Sequence, residues 1–148
     1  MQISGFPDVI IIWRWKMQKK VLIVEDEFLV ALNLKRMLTK LGFETVGIAP
    51  DMDTAMALAE ERPDIALVDV NLRDGPTGPK IGAALTHKFG ASVLFVTANP
   101  RQLKGGEDGA VGVLSKPFND NEIGPVLEFL VQCHEGQHPP APPNVTLF

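Results

Sequence analysis

Five short apolar runs recur along the chain: "VLIV" (21–24), "FETVGIA" (43–49), "IALVDV" (65–70), "SVLFV" (92–96) and "AVGVL" (110–114). Most of the gaps between them carry apolar residues at helical spacing. Strands that read as nearly continuous apolar runs are buried on both faces, and strands that alternate with helices join in parallel. Together these constraints predict an α/β fold, a doubly wound five-stranded parallel sheet between two helical layers.

The helical segments fill in that frame. Phe28, Ala31, Leu32, Leu38 and Leu41 form a stripe, broken only by Lys35, and Gly42 is placed to end the helix. Asp51 or Asp53 can cap a helix through Ala55, Met56, Leu58 and Ala59 that stops at Pro63. After a Gly/Pro-rich loop at 73–79, Ile81, Ala84, Leu85 and Lys88 share one face. The stretch "NPRQLKGGEDGA" offers Leu103 and then Gly105 and Gly106, enough for about one turn. A fourth of five helices is therefore expected to be short or disordered. The last helix carries Ile123, Val126, Leu127, Leu130 and Val131, with Asn121 as its cap and Pro125 in the first turn.

The ends are read separately. Residues 1–16 read as an N-terminal extension ahead of Met17. Their apolar stretch, Val9 to Trp13, is too short to span a membrane, and Arg14 and Lys16 follow it rather than precede it, unlike a signal peptide. The alternative is an extra strand or an apolar arm; Trp13 and Trp15 fall with the extension. The folded domain is placed at 17–133. Residues 134–148, with Pro139, Pro140, Pro142 and Pro143, read as an extended, solvated tail rather than packed structure. His134 and His138 go with the tail rather than forming a metal pair.

Composition narrows the function classes. The net charge is −4, and no cluster of Lys and Arg with interleaved aromatics is present, so a nucleic-acid partner is not expected. No segment suits a membrane. Cys133 is the single cysteine, which excludes a disulfide framework and a Cys-based metal site and fits a reducing, cytoplasmic compartment.

An acid at the end of a core strand is the informative anomaly, because an isolated buried charge is expensive. In parallel sheets, ligands bind beyond the carboxyl ends of the strands. Asp69 lies at that end of the third run. Glu25, Asp26 and Glu27 follow the first, Thr97 the fourth, and Ser115 and Lys116 the fifth. Glu25, Asp26 and Asp69 would repel one another in one cleft without a cation, and an all-oxygen site suits Mg²⁺ or Mn²⁺. A hard cation with a lysine and a hydroxyl suits a phosphoryl group, and a carboxylate there can serve as nucleophile.

The motifs "VLIVEDE", "PDIALVDVNL", "VLFVTAN" and "GVLSKPF", in that order, resemble the CheY-like receiver domain of two-component response regulators, over about residues 19–132. The resemblance implies a flavodoxin-like fold. It makes Asp69 the phosphoacceptor, Asp26 a direct Mg²⁺ ligand, Glu25 a ligand through water, and Asn71 a ligand through its backbone carbonyl. Thr97 matches the switch hydroxyl and Lys116 the phosphate-contacting lysine, with a cis peptide before Pro117. It implies phosphotransfer from a sensor histidine kinase or a phosphotransfer domain. The chain then reads as a single-domain regulator, since the segment after residue 132 is too short for an output module. It would signal by contact with a downstream protein or act as a phosphate sink, without enzymatic turnover of other substrates. The small Asn71 leaves room for an attacking water and predicts a short-lived phosphoaspartate.

Two departures stand out. Val113 occupies the position, three before the lysine, where receivers usually carry a Tyr or Phe that turns inward on activation. The fourth-helix segment is eroded, so signalling there would be an order–disorder change. With the "NLRDGPTG" loop, these features resemble regulators that accompany atypical alphaproteobacterial kinases.

Each site residue also has a plainer explanation. Asp69 can cap a loop, Thr97 can be a β-branched strand end, Asn71 can start a turn, and Glu27 suits the first helix dipole. Two rival functions follow: a degenerate receiver that binds partners without phosphorylation, and an aspartyl-phosphate hydrolase. The hydrolase would want a second acid two residues after the nucleophile, where this chain has Asn71. The degenerate receiver has no physical need to keep mutually repelling acids together.

Overall fold

A computed structural model of the protein describes residues 19–104 and 108–148. The extension at 1–16 and the glycines at 105 and 106 lie outside the described residues. Strands β1 (Lys20–Val24), β2 (Glu44–Ala49), β3 (Ile65–Val68), β4 (Ser92–Thr97) and β5 (Gly112–Ser115) are parallel, and β6 (Val145–Leu147) is antiparallel. The helices are α1 (Phe28–Lys40), α2 (Met52–Ala59), α3 (Gly78–Phe89) and α4 (Asp120–His134). The sheet order is β2-β1-β3-β4-β5-β6.

Alternate strand residues build two cores. Val21, Ile23, Ile65, Leu67, Leu94 and Leu114 face α1 and α4, where Leu34, Leu38, Leu127 and Leu130 meet them. Leu22, Val24, Ala66, Val68, Val93, Phe95 and Val113 face the other way, where Ala55 and Ala59 of α2 and Ile81 and Leu85 of α3 cover them. Most of these side chains lose nearly all contact with solvent, each contributing about 1.5–3 kcal/mol for the larger ones. The expected three-layer α/β sandwich is therefore what forms.

Four details depart from the sequence reading. First, the buried stripe of α1 runs through Ala31, Leu34, Met37 and Leu38, while Phe28 (67% exposed), Leu29 (78%) and Leu32 (44%) face solvent. Spacing alone does not choose between two apolar faces of one helix. Second, the described residues hold four α-helices rather than five. In place of the fourth expected one stands a single 3₁₀ turn, Pro100–Gln102, because Leu103 alone cannot hold a helix on the sheet. Third, Asn119 rather than Asn121 caps α4: the Glu122 carboxylate accepts from its backbone N–H at 3.0 Å. Pro125 then lies inside the helix, where it forfeits one backbone hydrogen bond.

The fourth departure is the tail. Rather than staying solvated, it packs: a turn closed by Val145 N–H to Pro142 O at 3.0 Å leads into Val145–Leu147, which pairs with β5 as a sixth strand, and Val145 is buried among the residues of α4's core. A β-branched and apolar triplet beside an open strand edge has a backbone ladder to gain there. His134 closes α4, with Nε2 3.2 Å from Asp64 Oδ1. Asp51, the cap of α2, accepts from Thr54 N–H at 2.9 Å, and that bond, with Arg73, holds its carboxyl down at about 2.

The phase of α1 is directly testable. Leu34→Ala should lower stability by about 2–5 kcal/mol, and Leu29→Ala should change it by no more than about 0.5 kcal/mol, in urea denaturation.

Candidate functional site

β1 and β3 are neighbours, and the chain leaves them in opposite directions, towards β2 from one and towards β4 from the other. A crevice opens beyond their carboxyl ends at such a point. Val24 and Val68 are register partners, so the residues that follow them, Glu25 and Asp69, emerge side by side. β3 ends at Val68 rather than at the expected Val70, which puts Asp69 one residue beyond the strand, at the cleft. On the other side of β3, Thr97 pairs with Ser115, and Lys116 follows at the same edge.

The acids converge as expected. Glu25, Asp26 and Asp69 each offer a carboxylate oxygen, and these oxygens lie within 4.8 Å of one another. Lys116 Nζ is 3.0 Å from Asp69 Oδ2 and hydrogen-bonds Glu25 Oε1 as well. Asp69 Oδ1 accepts from Val70 N–H at 2.7 Å. Glu25 Oε2 accepts from the N–H groups of Asp26 and Glu27 at 3.1 and 3.3 Å. Glu25 is 3% exposed, so its carboxylate is a buried strut, whereas Asp26 is open to solvent. The peptide between Lys116 and Pro117 is cis.

A cavity of about 330 Å³ lies over this cluster, lined by Asp26, Asp69, Asn71, Asn99 and Lys116 among others. Two of its features were not singled out from sequence. Gln102 reaches from the 3₁₀ turn and exchanges hydrogen bonds with the Asn71 carboxamide, at 2.5 and 3.2 Å, so Asn71 is engaged rather than free. Asn99 donates its backbone N–H to Thr97 Oγ1 at 3.0 Å. Thr97 is fully buried and is not among the residues lining the cavity; its hydroxyl is turned to this neighbour. Glu27 sits at the N-cap of α1 without a side-chain capping bond, and it too lines the cavity.

Gly78, the first residue of α3, also escaped the sequence reading, hidden in a loop of glycines and prolines. A Cβ there would lie 2.1 Å from the Asp69 carbonyl oxygen and 2.6 Å from Val70 Cα. Its N–H donates to Val70 O at 3.0 Å. Only glycine lets α3 press on the backbone that presents Asp69.

The charges are balanced tightly. Burial pushes Glu25 up to about 7, with Asp69 adding to the rise and Lys116 opposing it. Burial works against the charge of Lys116, but hydrogen bonds to Glu25 and Asp69 outweigh it and raise its pKa. The donor set is all oxygen and carries more negative charge than one ammonium offsets, so it fits a hard divalent cation.

Residues 21–128 match the response regulator receiver domain. The chain is 33% identical over 114 residues to the phyllosphere-induced regulator PhyR of Methylorubrum extorquens, covering 75% of this chain and 43% of that protein. It is 37% identical over 121 residues to the transcriptional regulatory protein PdtaR of Mycobacterium tuberculosis, covering 76% and 57%. The chain thus spans about half the length of these curated relatives. Among solved structures, the receiver domain of Erythrobacter litoralis PhyR aligns with a TM-score of 0.67 and 28% identity, over 84% of this chain and 95% of that one.

Two outcomes are expected. Gly78→Ala should disturb the Asp69 loop before the rest of the fold, seen as amide shifts concentrated at residues 69–71. Glu25 gives a signed pH dependence. Its folded value lies above its ordinary value of 4.5, so the unfolded chain ionises first. Without divalent cations, stability is then lost as pH rises from about 4.5 to about 7. Glu25→Gln should flatten this fall in a series of melting curves.

Proposed function

The chain belongs to the response regulator receiver domain family, and on that premise we propose that Asp69 accepts a phosphoryl group from a phosphohistidine of a kinase or relay domain. The observation that carries this reading is the Lys116 ammonium 3.0 Å from Asp69 Oδ2, inside a cluster of three carboxylates. An Asp69 carboxylate oxygen attacks the phosphorus, the phosphorus–nitrogen bond breaks, and the donor imidazole leaves, taking up a proton. Lys116 follows the charge onto a phosphoryl oxygen, and Thr97 turns its hydroxyl from Asn99 to donate to another. Asp26, Asp69 and the Asn71 backbone carbonyl would hold Mg²⁺ or Mn²⁺, with Glu25 acting through water. The cation would draw charge from the phosphoryl oxygens and relieve the repulsion among the acids.

A phosphodonor protein needs a place to sit beside Asp69. Phe28, Leu29 and Leu32 are exposed on α1, which begins directly after the acidic pair. A groove of about 450 Å³ runs between Leu29, Val30 and Leu34 of that helix and Lys116, Pro117 and Phe118. Apolar surface of this kind, adjoining the acid cavity, supports docking of an amphipathic helix.

The output reading is contact with a downstream protein, or service as a phosphate sink, in the cytoplasm and without nucleic acid. No helix among the described residues is long and apolar enough to cross a membrane. The relatives are named as regulators, not enzymes. Asn71 stands where a hydrolase would want a second acid, which argues against turnover of small substrates. The cavity beside Asn71 admits water, supporting a short-lived phosphoaspartate. Val113 and the single 3₁₀ turn that the described residues hold where a fourth helix was expected favour a phosphorylation-independent binding module. The clustered acids and lysine count against it, because burying Glu25 has no benefit to a domain relieved of the chemistry.

Intact mass after incubation with acetyl phosphate and Mg²⁺ decides between them. The wild type should gain the mass of one phosphoryl group and Asp69→Asn should not; an unmodified wild type would leave the binding module. Mg²⁺ should also shrink the loss of stability between about pH 4.5 and pH 7, since a cation favours ionised Glu25.

A further inference from the structure

Five parallel strands complete the sheet that positions the site, so β6 serves some other purpose. It pairs with β5 through Gly112↔Leu147, Val113↔Thr146 and Leu114↔Val145, and Phe148 N–H donates to Val111 O at 3.2 Å. Gly112 shows how closely the two fit. A Cβ there would lie 2.3 Å from Thr146 O and 3.1 Å from Leu147 Cα, so β5 is shaped to receive a strand. The strand is nonetheless lightly held. Val145 is 8% exposed, but Leu147 is 51% and Phe148 36%, and the linker from α4 contains four prolines.

The tail also touches the face where receiver chemistry would be read out. The Phe148 ring lies 6.2 Å from that of Phe95, tilted by 49°. Phe95 shares its core with Val113, the position lacking an aromatic, and with Leu103, which follows the 3₁₀ turn. Phe148 therefore brings an aromatic ring to the face on which β5 has none.

A physical path joins this contact to Asp69. Thr97 Oγ1 holds Asn99 N–H at 3.0 Å, and Asn99 is the cap of the 3₁₀ turn, its carbonyl accepting from Gln102 N–H at 3.1 Å. If Thr97 turns towards a phosphoryl group, Asn99 loses its acceptor. The turn shifts, and Leu103 with it.

We infer that Val145–Phe148 is a tethered strand ligand that closes the β5 edge and the Phe95–Val113 face, and that phosphorylation of Asp69 releases it, through Thr97, Asn99 and Leu103, so that the edge accepts an extended segment of a partner protein. The inference rests on the receiver reading. The tail itself shows what the edge holds: an antiparallel segment with a β-branched apolar residue at the Val145 register and an aromatic three residues on. Recognition is by strand addition, with backbone bonds supplying affinity and the two side chains supplying choice. A tethered strand competes at an effective concentration on the order of millimolar, so its release is worth a large gain to a free segment.

The test uses the full chain, isotope-labelled, with Mg²⁺ and with or without beryllofluoride. Amide shifts at Asp69 and Val70 report loading of the site. On loading, exchange of the Phe148 amide should quicken by at least about ten-fold, while β1 amides stay protected. A dye-labelled peptide of residues 143–148 should bind the loaded chain about ten-fold more tightly than the unloaded one. Val145→Asp, whose tail is open, should bind it without loading. Loading that leaves Phe148 protected overturns release and spares the receiver reading. No shift at Asp69 overturns the receiver reading, and this inference with it. A dimer of the loaded chain in light scattering overturns the partner assignment, because the edge would then be filled by a second copy's tail.

Discussion

The contact on which the rest depends is the partly buried triad of Glu25, Lys116 and Asp69. Its members come from three strands that are far apart in sequence, and only a parallel sheet with this strand order brings their carboxyl ends together. Burial makes the arrangement costly to each group alone: it pushes Glu25 towards its neutral form and would do the same to Lys116 without its two partners. The ammonium relieves part of that strain, and a divalent cation is suited to relieve the remainder. The apolar strands behind the cluster are thus the reason its charges interact strongly rather than being screened by water. Fold and chemistry share one set of residues.

Much of this was legible in the sequence. The strands announce themselves because burial on both faces demands unbroken apolar runs, and the acids stand out because they follow those runs at one edge. Asp26, Asp69 and Lys116 could be placed at one edge from topology, and Asn71 only through the family resemblance. What stayed hidden was set by tertiary contact. Phe28 and Leu32 share a helical stripe with Ala31 and Leu38, yet only packing decides which side turns inward. Gln102 and Asn99 lie in a stretch without periodicity, so nothing local ties them to Asn71 or Thr97. The role of Gly78 depends on the backbone of Asp69 across a gap of eight residues. The tail misled because its prolines draw the eye, while the three residues that decide its packing come after them.

The site and its readout are built differently. At the acid cluster three carboxylates gather within reach of one another, and Lys116 ties two of them, Glu25 and Asp69, by charged hydrogen bonds. On the Phe95 face Val113 stands where an aromatic was expected, and among the described residues a single 3₁₀ turn stands for a helix. On the reading proposed above, the chain would pair a conventional chemical centre with an unconventional surface for displaying its state. Thr97, fully buried and bonded to Asn99, lies between the two.

The sixth strand also bears on how the protein behaves in a crowded solution. Without it, β5 would present a row of unpaired backbone groups, the kind of edge on which sheets from different molecules join. With it, the outermost strand is three residues long, runs opposite to its neighbours and is preceded by prolines that cannot continue a ladder. A sheet finished in this way offers little purchase for stacking edge to edge. If the tail leaves during signalling, the molecule trades that protection for recognition, and the lifetime of the phosphoaspartate sets how long the unguarded edge is exposed to self-association.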